Sequence, residues 1–194
     1  GTDRALLASV RTGGAPSLRL YRWSRPTLSF GRNQPAAGLY DEAAARARGL
    51  AFVRRPTGGQ AVLHADELTY AVAAPIDVIG RPRAAYRRIN SGLVAGLRSL
   101  GVAAEVARGG SGAAAWSGSG IAGPPSPGTL ERAPADAPAV DWSRACFRDP
   151  AEGEVVAAGR KLVGSAQRCE GRALLQHGSI LISGSQAPAE ELLL

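Results

Sequence analysis

The chain has 194 residues, of which 45% are hydrophobic, and a formal net charge of +7 at pH 7. This length favours a single domain over residues 1–194. The sequence has no apolar run near the roughly 20 residues that a membrane helix requires. Two cysteines are too few for a disulfide framework. The sequence also lacks the basic patch interleaved with aromatic residues that is typical of nucleic-acid binding.

Hydrophobic spacing and short alternating stretches predict the secondary structure of the first half. In chain order we expect a helix over 3–11, strands over 17–23 and 25–35, a helix over 39–50, strands over 51–55 and 68–75, and a helix over 83–101. The 17–23 stretch alternates as a half-buried strand does. In the last helix the apolar residues recur every three to four positions, at Tyr86, Ile89, Leu93, Leu97 and Leu100.

The second half begins with a change of composition. Residues 109–140 are mostly Gly, Ser, Ala and Pro, so burial cannot offset the entropy of ordering them and we expect a mobile loop. A hairpin over 153–167, turning at 157–161, and a strand over 173–183 follow. The ending EELLL stops within a helical pattern, so we expect a truncated chain. Hairpins mixed with helices predict an α+β fold with a mixed, largely antiparallel sheet packed by helices.

The stretch RRPTGGQAVLHADELTY, residues 54–70, places two glycines after a strand. Gly58 and Gly59 can adopt positive φ and let a ligand approach the backbone N–H groups. Arg54 and Arg55 alternate along the strand, so only one is expected to face that ligand. An ordinary hairpin turn with surface arginines and a structural His64 would give the same pattern.

A second stretch, residues 146–167, contains Cys146 and Lys161. Lys161 is the single lysine among 23 basic residues, which indicates a need for a compact ammonium rather than a guanidinium. A thiol near an ammonium is favoured as thiolate and can act as a nucleophile. Cys146 could equally be a small buried hydrophobe.

Small residues follow Lys161 along the same predicted strand. Gly164, Ser165 and Ala166 leave room for a narrow ligand against the strand. A third stretch, LLQHGSIL, carries His177 and Gly178, for which a plain turn is the alternative. The histidines and cysteines show no close-spaced ligand pair, so we expect no metal site. No dinucleotide-binding, Walker A or G-x-S-x-G motif is present.

Three motifs in order, RRPTGGQAVLHADELTY, GRKLVGSAQR and LLQHGSILI, closely resemble the biotin/lipoate A/B protein ligase family. PTLSFGRNQ matches an early strand of that family, and the resemblance covers residues 4–185. It implies a mixed β-sheet packed by helices, related to the catalytic cores of class II synthetases. This agrees with the α+β prediction.

Within the family, ACFRDP at residues 145–150 resembles the cysteine-dependent octanoyltransferases. ATP-dependent lipoate ligases typically carry an Asn-Asp-type motif before the lysine hairpin. The resemblance implies that Cys146 is the acyl-accepting nucleophile and that Lys161 contacts the acyl carbonyl oxygen. The turn 54–59 and His64 would border the acyl tunnel, with His177 nearby.

The implied activity is transfer of an octanoyl group from acyl carrier protein to a lysine of a lipoyl domain, in lipoate biosynthesis. The acceptor would be a protein such as the glycine-cleavage H protein or a dehydrogenase E2 subunit. We expect a cytoplasmic monomer that needs no cofactor and binds neither nucleic acid nor membrane. The alternatives are a lipoate–protein ligase, which would use ATP and Mg, and a non-catalytic acyl-binding paralogue.

Overall fold

A computed structural model describes residues 1–35, 39–108, 151–183 and 186–193. Its helices are α1 (Thr2–Arg11), α2 (Glu42–Ala47), α3 (Ile76–Ile79), α4 (Pro82–Ser99) and α5 (Ala187–Glu190). Its strands are β1 (Ser17–Tyr21), β2 (Thr27–Phe30), β3 (Ala51–Arg54), β4 (Val62–His64), β5 (Glu67–Pro75), β6 (Ala104–Val106), β7 (Val155–Ala157), β8 (Arg160–Glu170) and β9 (Ala173–Leu181). The predicted mobile loop at 109–140 lies outside the described residues.

The larger sheet has six strands in the order β1-β5-β9-β8-β7-β6. Every neighbouring pair in it is antiparallel, and β9 pairs along its whole length with β5. The α+β class with a largely antiparallel sheet is therefore confirmed. The hairpin predicted over 153–167 is present as β7 and β8, which turn at Ala158 (φ 48°) and Gly159 (φ 72°).

Helices pack on both faces of this sheet, because side chains alternate along each strand. α4 covers one face, where its buried residues Ile89 and Val94 join a core with Tyr70, Val163 and Ile180. α1 covers part of the opposite face, where it forms a second core from Leu7, Val10, Ala71, Ala73 and Leu175. The part of that face that α1 leaves uncovered is available for a binding site.

A second, three-stranded sheet has the order β3-β2-β4, with β2 parallel to β3 and antiparallel to β4. Its core contains Leu28, Phe30, Tyr40, Leu63 and Leu192. The end of the chain closes this core, since Leu192 O accepts the Asp41 N–H at 2.8 Å and Leu193 bridges to Tyr40. The helical pattern expected to continue through 190–193 is wrong, because α5 ends at Glu190 and Leu192 is instead drawn into the core.

The remaining differences from prediction concern short elements and strand faces. The three- and four-residue elements β4, β6 and α3 were not predicted as elements, because so few residues show no periodicity. In β1 the strand is confirmed, but its leucines face outward, with Leu18 67% and Leu20 56% exposed. Leu100 is 79% exposed because α4 ends before it. None of the helices in the described part of the chain has the length and hydropathy needed to span a bilayer.

Candidate active site

A cavity of about 430 Å³ lies on the face of the larger sheet beside the start of α1. Segment 53–64 of the chain and strands β1, β5, β8 and β9 contribute to its walls. Every predicted substrate-binding residue lines it: Arg54, Arg55, Gly58, Gly59, His64, Gly164, Ser165, Ala166 and His177. The structure thus brings together three stretches that are far apart in the sequence.

Strand register explains why small residues form the base of the cavity. Gly164 lies opposite Ser179, and two residues further along Ala166 lies opposite His177. Residues two apart share a face of a strand, so Gly164 and Ala166 present a hydrogen atom and a methyl group to the cavity. The Ser165 hydroxyl is instead 2.7 Å from Tyr70 OH, in the core under α4.

The two arginines of the 54–59 turn hold backbone carbonyl groups. Arg54 donates to the carbonyl oxygens of Gly31 and Gln34, both at 2.7 Å. Arg55 donates to the carbonyl oxygen of Ser29 at 3.0 Å and to that of Gly58 at 2.9 Å. Both arginines belong to the lining of the cavity, but their side chains bind different carbonyl groups. That only one of them faces a ligand stays a prediction.

His64 is fixed at both ring nitrogens and on one ring face. Its Nδ1 lies 2.6 Å from Glu67 Oε1, its Nε2 lies 2.7 Å from Ser29 Oγ, and Trp23 stacks on it at 4.3 Å. Arg55 donates to Ser29 Oγ at 3.2 Å, so the Ser29 hydroxyl can donate to His64 Nε2. This network assigns the proton of the neutral imidazole to Nδ1.

Glu67 is the centre of this network, with 1% of its surface exposed. Its Oε1 also accepts hydrogen bonds from the hydroxyls of Thr69 at 2.7 Å and Ser179 at 2.8 Å. Trp23 Nε1 in turn donates to Thr69 Oγ1 at 2.9 Å. The ring orientation of His64 is therefore determined by hydrogen bonds with residues of β2, β5 and β9 at once.

His177 has a similar pair of partners at the other side of the cavity. Its Nδ1 lies 2.8 Å from Asp3 Oδ2 and its Nε2 lies 2.6 Å from Thr57 Oγ1. Asp3 also accepts from Arg19 at 3.0 Å. Burial alone would raise the pKa of Asp3, but the hydrogen bond and charge of His177, with those of Arg19, outweigh it and lower that pKa. Asp3 is thereby held as a carboxylate at the cavity wall.

The predicted catalytic pair is placed differently from these residues. Cys146 lies outside the described residues. Lys161, the second residue of β8, does not belong to the described residues that line the cavity. Its Nζ lies 2.7 Å from Glu154 Oε1, and only 6% of its side chain is exposed. The catalytic roles of Cys146 and Lys161 stay predictions.

Several residues that line the cavity or support its walls were not predicted from the sequence. Glu67 and Thr69 had a usable signal, since they follow His64 on a strand and share one of its faces. For Trp23 and Ser29 the signal was weaker, because it consisted only of their positions in the strands predicted over 17–23 and 25–35. Asp3 had none, because 174 residues separate it from His177 and an acidic residue near a helix start is ordinary.

In the described ranges, no group of three or more His, Cys, Asp or Glu side chains is placed to hold a metal ion. The expectation of a metal-free site is not tested by this, and it stays a prediction.

The sequence model of the family described as Lipoyl protein ligase A/B catalytic domain matches residues 1–193 of this chain. The chain belongs to this family. The resemblance seen in the sequence motifs is thereby confirmed.

Several curated relatives of this chain carry the name Octanoyltransferase LipM. The protein from Moorella thermoacetica is 42% identical over 185 residues, covering 93% of this chain and 59% of that protein. The protein from Kyrpidia tusciae is 44% identical over 183 residues, again covering 93% and 59%. The chain thus spans about 59% of the length of these relatives.

Solved structures of lipoate ligases share the fold. A crystal structure of lipoate-protein ligase A bound with ATP has a TM-score of 0.64 at 23% identity, over 100% of this chain and 67% of that one. The bi-partite lipoate protein ligase from Thermoplasma acidophilum has a TM-score of 0.63 at 22% identity, over 100% and 62%. At such identities the likeness extends to the fold alone.

Proposed function

We propose that this chain is the catalytic part of a protein octanoyltransferase that acts in the cytoplasm as a monomer. It would move an octanoyl group from acyl carrier protein to a lysine of a lipoyl domain. The observation that carries the proposal is the 42% identity to an octanoyltransferase over 93% of the chain. The cavity supports it, since its volume of about 430 Å³ falls within the roughly 300–1,000 Å³ typical of small-ligand sites.

The proposed reaction needs no nucleotide, because the octanoyl thioester is already activated. The Cys146 thiolate attacks the thioester carbonyl carbon, a new thioester forms on the enzyme, and the thiol of the carrier leaves. The amine of the lipoyl-domain lysine then attacks this acyl-enzyme, which forms the amide and returns the Cys146 thiol. The Lys161 ammonium would stabilise the negative oxygen of each tetrahedral intermediate.

The test is to mix the protein with octanoyl-loaded carrier and no nucleotide. We expect one octanoyl group on the peptide that contains ACFRDP, released by hydroxylamine as thioesters are. Cys146→Ser should lose this adduct. Cys169→Ser is the matched control and should keep it, because Cys169 lies on β8, where burial raises the pKa of its thiol and disfavours the thiolate.

The alternatives predict other results. Modification of a lipoyl domain by lipoate and ATP, with no adduct from the octanoyl carrier, would identify an ATP-dependent ligase instead. Binding of octanoate without any transfer would identify an acyl-binding paralogue.

A further inference from the structure

The contact between Lys161 and Glu154 is shielded from solvent on both sides. Nζ and Oε1 are 2.7 Å apart, and the two side chains are 6% and 12% exposed. Removing either charge from water is unfavourable, and the cost is offset only where the charge is paired and hydrogen-bonded. A buried pair of this kind therefore fixes the position of an ammonium that a flexible four-carbon stem would otherwise leave mobile.

Glu154 is itself held in place by a tight turn. Its Oε2 accepts the Ala151 N–H at 2.8 Å, and its own N–H donates to the Ala151 carbonyl at 3.1 Å. The turn is anchored to α4, where Asn90 Nδ2 donates to the Gly153 carbonyl at 2.8 Å. The carbonyl group of Glu154 is anchored as well, since it accepts the Ala107 N–H at 2.7 Å. The backbone at Gly153 and Glu154 is thus held by three hydrogen bonds, and the Ala151 N–H holds one oxygen of the carboxylate.

We propose that Glu154 is a positioning residue that orients the Lys161 ammonium for acyl transfer. This rests on the proposed function, in which Lys161 stabilises the oxyanion. An ammonium has three N–H donors, so the bond to Glu154 sets the direction of the other two. A displacement of about 1 Å in a catalytic group can cost about 10² in rate, which makes this orientation consequential.

The first test measures the amine itself and does not depend on turnover. Lys161 is the single lysine of the chain, so a trinitrobenzenesulfonate adduct on the peptide that contains it reports on one side chain. Glu154→Gln should raise the rate of Lys161 modification by about tenfold or more, as expected for losing a charge-assisted hydrogen bond. Glu152→Gln, which changes an exposed carboxylate in the same turn, should leave the rate unchanged.

The second test uses octanoyl transfer in Glu154→Ala, Lys161→Ala and the double variant. Glu154→Ala should lower kcat by about 10² while KM for the octanoyl carrier changes little. The double variant should be no slower than Lys161→Ala, because a positioning residue has no effect once its target is gone. Glu154→Asp, which keeps the charge, should recover part of the rate.

Two results would overturn the proposal: an unchanged modification rate in Glu154→Gln, or losses from Glu154→Ala and Lys161→Ala that multiply in the double variant. If the wild-type chain transfers no octanoyl group, the proposed function fails instead. The modification rates would still decide whether Glu154 holds Lys161. Thermal unfolding of each variant separates misfolding from mispositioning.

Discussion

Gly59 and Gly58 are neighbours in the same turn but have different surroundings. Gly59 has a φ of +94°, and a Cβ added there would lie 2.8 Å from Arg55 Nη2, whereas one added at Gly58 would meet nothing within 4 Å. Only Gly59 therefore needs to be glycine for both conformational and steric reasons. The sequence shows only two adjacent glycines and could not reveal which of them is required.

We expect Gly59→Val to lower the free energy of unfolding by roughly 1–3 kcal/mol and to abolish octanoyl binding, because the displaced Arg55 no longer supports the cavity wall. Gly58→Val should change stability by no more than about 0.5 kcal/mol. Urea denaturation and octanoate binding of the two variants check this. Equal damage from both would show that the turn is simply intolerant of side chains.

At the level of single elements, β1 shows what an alternating pattern can and cannot reveal. The alternation of SLRLYRW was enough to predict the strand. It could not reveal which face is buried, because the polar face, with Arg19 and Tyr21, lines the cavity while Leu18 and Leu20 point outward. Sequence patterns assume that polar residues face solvent, and a polar cavity wall reverses that assumption.

The junction of α1 with the sheet depends on pH through Asp3. The pKa of Asp3 is lowered in the folded protein, so its contribution to stability is complete above the ordinary value of 3.8 and is lost as pH falls through the folded-state pKa. Asp3→Asn should cost roughly 1.5–3 kcal/mol at neutral pH. That difference from wild type should shrink as the pH drops below 3.8.

Denaturant unfolding of wild type and Asp3→Asn between pH 7 and pH 3 measures this difference. Arg4→Gln, one residue further along α1 at the exposed cavity rim, serves as the control. A difference that stays constant over this range would contradict a lowered pKa at Asp3.

For the molecule as a whole, the sequence predicted the fold class, and the residues that it proposed for substrate binding line one cavity. The motifs were enough for these predictions because each motif is a short, continuous stretch of the sequence. What they could not give is the wall formed by Asp3, or the Glu154 contact of Lys161 across the β7–β8 hairpin. The Asp3 contact depends on how distant segments meet, and the Glu154 contact depends on the register of the hairpin; spacing within the sequence records neither.

The net charge of +7 gives a prediction for the whole surface. If the octanoyl donor is an acidic carrier protein, kcat/KM should fall steeply as salt rises from about 0.01 to 0.5 M, because screening weakens steering. Octanoyl-pantetheine, which lacks the carrier protein, is the control and should show little salt dependence. The same slope for both donors would mean that the charge does not serve recognition.

The hydrogen bond between Asp3 and His177 joins residues 174 positions apart, and it has a consequence for biosynthesis. During translation α1 is made long before its cavity partners on β9, from which most of this chain separates it. β9 also lies between β5 and β8 in the larger sheet, so these two strands lack a pairing partner until β9 has been made. We therefore expect a nascent chain to bind no acyl group until β9 has been made and has paired with its neighbours.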